Sequence, residues 1–490
     1  MSPAQHPHNP LTGRLPCPGA GADVFFEGLE HEVREGHWRV RSPSAATTLQ
    51  GHRGDRPVER QDVRRATPRT DHVLADPRLR DATARLGRGL VKEAAVATLG
   101  RCRRGEITPD EVVPATLETL PSAASTLRPV VNATGVLVHT NLGRAPLSEA
   151  AVSALATAAG ATDVELSLDT GRRERRGRGT LAALSAAVPQ AGDVHVVNNG
   201  AAALSLVTLA LAAGRRIVVA RGELVEIGDG FRIPELLESL GARLREVGTT
   251  NRVRLQDYAD AVDDDTAFVL KVHPSNFVVS GFTSSVSVRE LATLPVPVVF
   301  DIGSGLLARH PRLPDEPNAA DALSDGATLV TASGDKLLGG PQCGLLLGDA
   351  GLVEALRRHP FARALRVDKL TLAALEATLT GPTPPVPAAL AVPRSALLAR
   401  AARIVEELAD LEVAEVVESS AAVGGGGAPD VVLPSAAVGL PASFARPLRV
   451  GARAVVGHVE RGRLLLDLMA VDPADDAVLA DAVRAVASGG

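Results

Sequence analysis

The chain reads as an α/β protein built on a mostly parallel sheet, with a small helical domain before it and a smaller α+β domain after it. Three observations predict this. Short apolar strands alternate with helical stretches from residue 128 onward, the run GPTPPVP (381–387) interrupts the alternation, and a basic helical pattern precedes it.

Residues 1–63 are rich in Pro, Gly, His and Arg, hold the only Trp and show no sustained period, which reads as a disordered extension. Residues 64–128 read as a basic helical domain. Within it, 84–102 puts Leu86, Leu90, Ala94 and Ala97 on one helical face, with Val91 beside them. Gly105 and Pro109 then break the helix, and 109–120 starts another. Between Arg60 and Arg104 twelve Lys/Arg stand against five Asp/Glu, a local excess of +7 in a chain of formal net charge −5. The overall charge argues against wholesale coating of nucleic acid, whereas a basic end on an acidic protein points to one polyanion partner; a solvated helix face gives the same pattern.

Residues 129–385 carry the alternation. Strands are expected at 194–197, 217–220, 268–272, 298–302, 328–331 and 345–347, with helices such as 201–213 and 233–240 between them. Residues 386–490 form the small domain: a helix at 395–408, a flexible glycine run at 424–427 and a hairpin at 454–468. Cys17, Cys102 and Cys343 share no metal-ligand spacing and are too few for a disulfide framework. No metal is expected. There is no apolar run of about 18 residues and no signal-peptide core, so a cytoplasmic protein is expected.

The stretch SGDKLLGGPQ (333–342) carries the chemistry. Lys336 falls in a glycine-flanked turn between two buried strands, where a lysine suits a Schiff base with an aldehyde cofactor, pyridoxal 5'-phosphate (PLP) first of all. PLP also needs an acid for its ring nitrogen, a phosphate cradle and a stacking partner. Asp301 ends a strand 35 residues earlier, where ligand crevices of parallel sheets lie. Asn199, Gly200 and Ala201 open a helix whose bare N–H groups suit a phosphate, and an ordinary Asn-capped turn reads the same. Ser333 adds a hydroxyl. His273, just past a strand, is a candidate for stacking or proton transfer. Cys343 reads as a small core residue.

These motifs together resemble bacterial L-seryl-tRNA(Sec) selenium transferases. The landmarks are NATGVLVHTNLGRAPL (132–147), VVNNGAAA (196–203), GELVEIGDGFRIPE (222–235), EVGTTNR (246–252), SGDKLLGGPQ, ALRVDKLTLAALEATL (364–379) and, near the end, GRLLLDL (462–468). The resemblance implies a fold-type-I PLP-dependent transferase (aminotransferase-like) large domain. It implies conversion of seryl-tRNA(Sec) to selenocysteinyl-tRNA(Sec) with selenophosphate, through a dehydroalanyl-tRNA intermediate. Asp335 would assist Lys336 in proton handling, and Arg144, Arg363 and Arg366 would form the anion pocket. Arg363 and Arg366, three apart on an expected helix, share a face. The arginine-rich loop 172–179 fits the site entrance, the tRNA acceptor end or a solvated loop, the last slightly favoured. The resemblance makes 64–128 a tRNA-binding domain and implies a homo-oligomer, a decameric ring of dimers. Neither a membrane nor DNA is an expected partner. Gly200, Cys343 and Asp229 depart from the usual family residues. The alternatives are a PLP-dependent lyase of the same family acting on an amino-sugar-acid phosphate, or a catalytically silent tRNA-binding paralogue.

Overall fold

The computed structural model describes residues 66–121, 123–224, 226, 228 and 230–489. The expected extension 1–63 and Asp229 lie outside the described residues. Two units are separated after Ala124.

In the first unit, helices Pro77–Leu86, Arg88–Arg103 and Val112–Thr119 pack around Leu79, Val91, Leu99 and Cys102. The continuous helix expected over 84–102 is two helices. Gly87, at φ +89, ends the first at Leu86 and resets the phase of the second. The buried face is therefore Val91, Ala95, Thr98, Leu99 and Cys102, while Leu90 and Ala94 are half-buried and Ala97 is exposed. The start of the first helix is written in Asp76-Pro77: the carboxylate accepts from the Arg78 N–H, and proline occupies the first turn. Thr108 and Glu111 form a capping box ahead of the last helix.

In the second unit, β1 (Val130–Ala133) precedes seven strands: β2 (Asp193–Val197), β3 (Arg216–Ala220), β4 (Arg243–Val247), β5 (Thr266–Val272), β6 (Val298–Gly303), β7 (Leu329–Ser333) and β8 (Gly344–Gly348). The sheet order is β2-β8-β7-β6-β5-β3-β4. The pairs among β3, β4, β5, β6 and β7 are parallel, and β8 runs antiparallel to both neighbours. Side chains alternate between two cores: Val299, Leu329 and Leu346 enter one, Phe300, Val330 and Leu345 the other. A sheet buried on both faces needs apolar residues at every position, and that gave six of its strands away in the sequence. The seventh, β4, is Arg-Leu-Arg-Glu-Val at the sheet edge, where charges guard the unpaired side.

The smaller sheet comprises β9 (Glu415–Ala422), β10 (Val432–Pro441), β11 (Ala454–Glu460) and β12 (Arg463–Asp467), ordered β1-β11-β12-β10-β9. Strand β1 lies within the segment 129–385 that the sequence assigns to the large domain, yet it pairs in parallel with β11, Val130 opposite Ala454. The chain then runs along β9, with Leu137 N–H donating to Ala422 and Val138 N–H to Val423. Helices Arg394–Glu407 and Asp476–Ala487 cover this sheet through Leu397, Ile404, Leu479 and Val483.

A fully buried carboxylate ties the two stretches together. Asp467 accepts from Ser419 Oγ (2.5 Å), Ser435 Oγ (2.8 Å) and Met469 N–H (2.9 Å). A β-carbon on Gly135 would lie 3.2 Å from its Cγ, so the approach requires glycine. Asp467→Ala leaves three buried donors unpaired and is expected to cost about 3 kcal/mol. Urea unfolding checks this; an unchanged midpoint contradicts it.

Candidate active site

Lys336 sits in the turn from β7 to the antiparallel β8. Gly334 N–H donates to Cys343 O and Gly340 N–H to Gly334 O, which folds the turn back on itself. Leu337 N–H donates to Ser304 O, just past β6, and brings the lysine over the carboxyl edge of the sheet. Its Nζ meets two glycine backbones. A β-carbon would lie 3.8 Å from Nζ if built on Gly303, and 2.9 Å if built on Gly426. Burial pushes the Lys336 ammonium below its ordinary pKa; Asp301 opposes that shift and Arg144 adds to it. The amine is thereby biased toward its neutral, nucleophilic form.

Asp301 lies on β6 between Val272 of β5 and Thr331 of β7. It is buried, accepts from Thr331 Oγ1 at 2.8 Å, and burial pushes its carboxyl above the usual range. Its backbone oxygen accepts from the N–H of His273, at the end of β5. The His273 Nε2 lies 3.1 Å from Glu316 Oε2.

The helix Gly200–Val207 begins beside the same turn. Asn199 caps it, its side chain accepting from Ala202 N–H at 2.8 Å. The capping reading therefore holds for the Asn199 side chain, and what the turn offers a phosphate is the backbone N–H groups of Gly200 and Ala201. Ser333 Oγ is adjacent: a β-carbon on Gly200 would stand 2.9 Å from it. A buried lysine, a buried acid and a hydroxyl beside a helix N-terminus are donor groups that fit PLP.

The remaining expected residues fall into two groups. Arg144 and Asp335 form one, an ion pair with Nη1 2.6 Å from Oδ2. Arg144 holds a left-handed backbone (φ +66), which costs an L-residue about 1–2 kcal/mol. Arg363 and Arg366 form the other. They do not share a helix: Arg363 ends a short 3₁₀ turn, and after a turn at 364–365 the chain straightens at 366–368, where Arg366 bridges to Val197 at the sheet edge. Both still line one groove of about 740 Å³, with Arg173, Arg175, Arg176 and His195. Glu165 gathers Arg173 (2.8 Å), Arg176 (3.2 Å) and Arg366 (3.6 Å). The loop 172–179 lends Arg173, Arg175 and Arg176 to the groove while residues 172–175 and Arg178 stay exposed, so it is solvated and also lines the groove. Burial pushes His195 down to about 4, and pushes the buried Cys343 thiol up to about 12, as a core residue would be.

Thr331, Glu316, Glu165 and Gly426 escaped the sequence reading. Thr331 has a recoverable signal, since it opposes Asp301 in the strand register. The glycine run at 424–427, expected to be flexible, is a shaped element: Gly424, Gly425 and Gly426 are all left-handed, and Gly427 N–H donates to Gly424 O. Nothing local marked Glu316.

The family model described as L-seryl-tRNA selenium transferase matches residues 130–472, and that described as selenocysteine synthase N terminal matches 64–103. A protein of Hyphomonas neptunium named L-seryl-tRNA(Sec) selenium transferase is 38% identical over 457 residues, covering 86% of this chain and 98% of its own length. A protein of the same name from Methylocella silvestris is 41% identical over 426 residues, covering 81% and 88%. Among solved structures, D-glucosaminate-6-phosphate ammonia-lyase shares the fold, with a TM-score of 0.54 at 19% identity over 74% of this chain and 96% of its own.

The site makes one prediction of its own. The chain has four lysines, Lys92, Lys271, Lys336 and Lys369. Because burial lowers its pKa, Lys336 keeps its free amine at lower pH than an ordinary lysine does. Pyridoxal labelling followed by reduction at neutral pH is expected to mark Lys336 first, read by peptide mass mapping. Preferential marking of Lys92 overturns the assignment. Gly426→Ala is expected to slow labelling of Lys336 more than about tenfold, since it adds both a clash and a left-handed alanine.

Proposed function

Because the chain belongs to the L-seryl-tRNA selenium transferase family, we infer that it is a PLP-dependent enzyme converting L-seryl-tRNA(Sec) to L-selenocysteinyl-tRNA(Sec), with selenophosphate as the selenium donor. The observation that carries this reading is the Lys336 amine held beside buried Asp301 at the carboxyl edge of the sheet. Lys336 would hold the PLP aldehyde, Asp301 would face the ring nitrogen, Gly200, Ala201 and Ser333 would take the phosphate, and His273 would stand against the ring. When bound, PLP supplies an electron sink that makes the seryl Cα proton acidic.

The protein's own groups do the rest. Lys336, biased toward the free amine, is the base for the Cα proton. Asp335 orients Arg144 through their 2.6 Å contact, so that the remaining guanidinium N–H groups can meet an anion. Arg363 and Arg366, in the separate groove with His195, would offer an anion a second cluster of guanidinium groups. The seryl hydroxyl leaves from Cβ as water with the proton taken from Cα, selenium of the donor adds to the resulting dehydroalanyl ester, and water cleaves the P–Se bond to release phosphate.

The N-terminal unit supplies the tRNA contact. Arg88, Lys92 and Arg103 are exposed and lie on one side of the helix Arg88–Arg103. They make no ion pair among the described residues. Phosphate contacts of this kind recognise shape and lose strength with salt. This unit favours tRNA over an amino-sugar-acid phosphate, whose small substrate gives such a module nothing to bind. A homo-oligomer, as a decameric ring of dimers, belongs to the same proposal; the exposed Phe277, Val278, Val279 and Phe282 support a subunit contact. So does a cytoplasmic location. Among the described residues no helix is long and apolar enough to cross a membrane.

The deciding assay is conversion of seryl-tRNA(Sec) with selenophosphate, run beside free serine and amino-sugar phosphates. Lys336→Ala is expected to abolish both conversion and the visible absorbance of bound PLP; retained turnover overturns the mechanism. Replacing Arg88, Lys92 and Arg103 by Gln is expected to weaken tRNA binding roughly tenfold or more and to flatten its salt dependence by about two to three counterions. Binding that keeps the wild-type salt slope refutes the module's role.

A further inference from the structure

Glu316 lies in the loop ahead of the helix Ala319–Ser324, and the chemistry above leaves it without a task. It is 6% exposed. A single oxygen, Oε2, meets two groups from distant parts of the chain. One is His273 Nε2 at 3.1 Å; the other is the backbone N–H of Ala428, between β9 and β10, at 2.8 Å. Burial raises the pKa of this carboxyl, yet the His273 imidazole above all, with the Ser304 hydroxyl and the Ala428 N–H, holds it below the usual range. A buried carboxylate kept ionised is costly unless its partners repay desolvation.

Each partner links Glu316 to the site. An ionised carboxylate only accepts, so the hydrogen must reside on His273 Nε2. That fixes the Nε2–H tautomer, while the backbone N–H of His273 is anchored to Asp301 O at 2.9 Å. Ala428, for its part, closes the left-handed glycine run. Gly426 in that run comes so close that a β-carbon would lie 2.9 Å from Lys336 Nζ and 3.3 Å from Ser275 Oγ. A mere loop staple would account for Ala428 but would leave the imidazole on the same oxygen unexplained.

We propose that Glu316 is a positioning residue: through one oxygen it sets the tautomer and orientation of His273 and seats the Gly426 backbone against Lys336. The proposal rests on reading Lys336 as the reacting amine. The charged groups around His273 are Glu316, Asp301 and Lys336, and beyond Lys336 stand Arg144 and Asp335.

The test uses the full-length protein as Glu316→Gln, His273→Asn and the double variant. Glu316→Gln keeps shape and removes charge. It is expected to lower kcat at least about tenfold with the KM for tRNA unchanged. In the cofactor-free protein, nitrogen NMR of labelled histidine is expected to show His273 as the Nε2–H tautomer in the wild type and as a mixture of tautomers in Glu316→Gln. The kcat loss should largely vanish in the His273→Asn background. An unchanged His273 tautomer, or an equal loss with and without His273, overturns the proposal. Should the wild type fail to convert seryl-tRNA(Sec), the functional reading falls, and the tautomer measurement still decides the role of Glu316.

Discussion

Lys336 and Asp301 bring opposite charges to the same dry edge of the seven-stranded sheet, and the cost of doing so shapes everything around them. Moving an ion out of water costs several kcal/mol even after local relaxation, and mutual attraction recovers that only with good geometry and extra hydrogen bonds. Here the compensation is partial: Asp301 has the Thr331 hydroxyl, and Lys336 has glycine backbones for neighbours. Both groups are accordingly pushed toward their neutral forms. For the acid this is a deficit that a cationic ring nitrogen would cancel. For the lysine it is the reactive state itself. The site is thus unfavourable in isolation and complete only with its cofactor, a common way for strain at a functional centre to be resolved by a ligand.

The large sheet holds the reacting groups, and the small sheet closes over them. The link between them is backbone, from the strap 134–138 through β9 to the glycine run. Asp467 clamps one end of that link and Glu316 the other. Neither carboxylate belongs to a recognisable catalytic motif. Both serve by being buried acceptors that draw donors from separate segments onto one point, which favours a single arrangement of those segments over many.

What could be read from the sequence was what repeats or what is bound to local chemistry. Six strands of the large sheet announced themselves because burial on both faces demands uninterrupted apolar residues, and Lys336 and Asp301 stood out as charges at the ends of such runs. What could not be read depends on pairing across long separations. Strand β4 looks charged because it is an edge, and β1 looks like part of the large domain because its partner comes near the end of the chain. Glu316 sits in a loop without period, and its partners lie 43 residues before it and 112 after it. The helical face in the N-terminal unit was misplaced because one glycine resets the phase. The spacing of Arg363 and Arg366 suggested a helix where the chain straightens, and the groove they share came from tertiary structure alone.

The pairing of β1 with β11 sets an order of events during synthesis. Val130 emerges from the ribosome roughly 300 residues before its partner Ala454, an interval on the order of tens of seconds at ordinary elongation rates. Throughout that time β1 is an unpaired strand with apolar residues, and the large sheet can be complete while the glycine run that must lie against Lys336 has no framework to hold it. A nascent chain therefore cannot acquire a finished catalytic centre until translation is almost over. Premature termination between β8 and β11 would release a folded sheet bearing an exposed lysine and a sticky strand, a product suited to chaperones and proteases and not to tRNA.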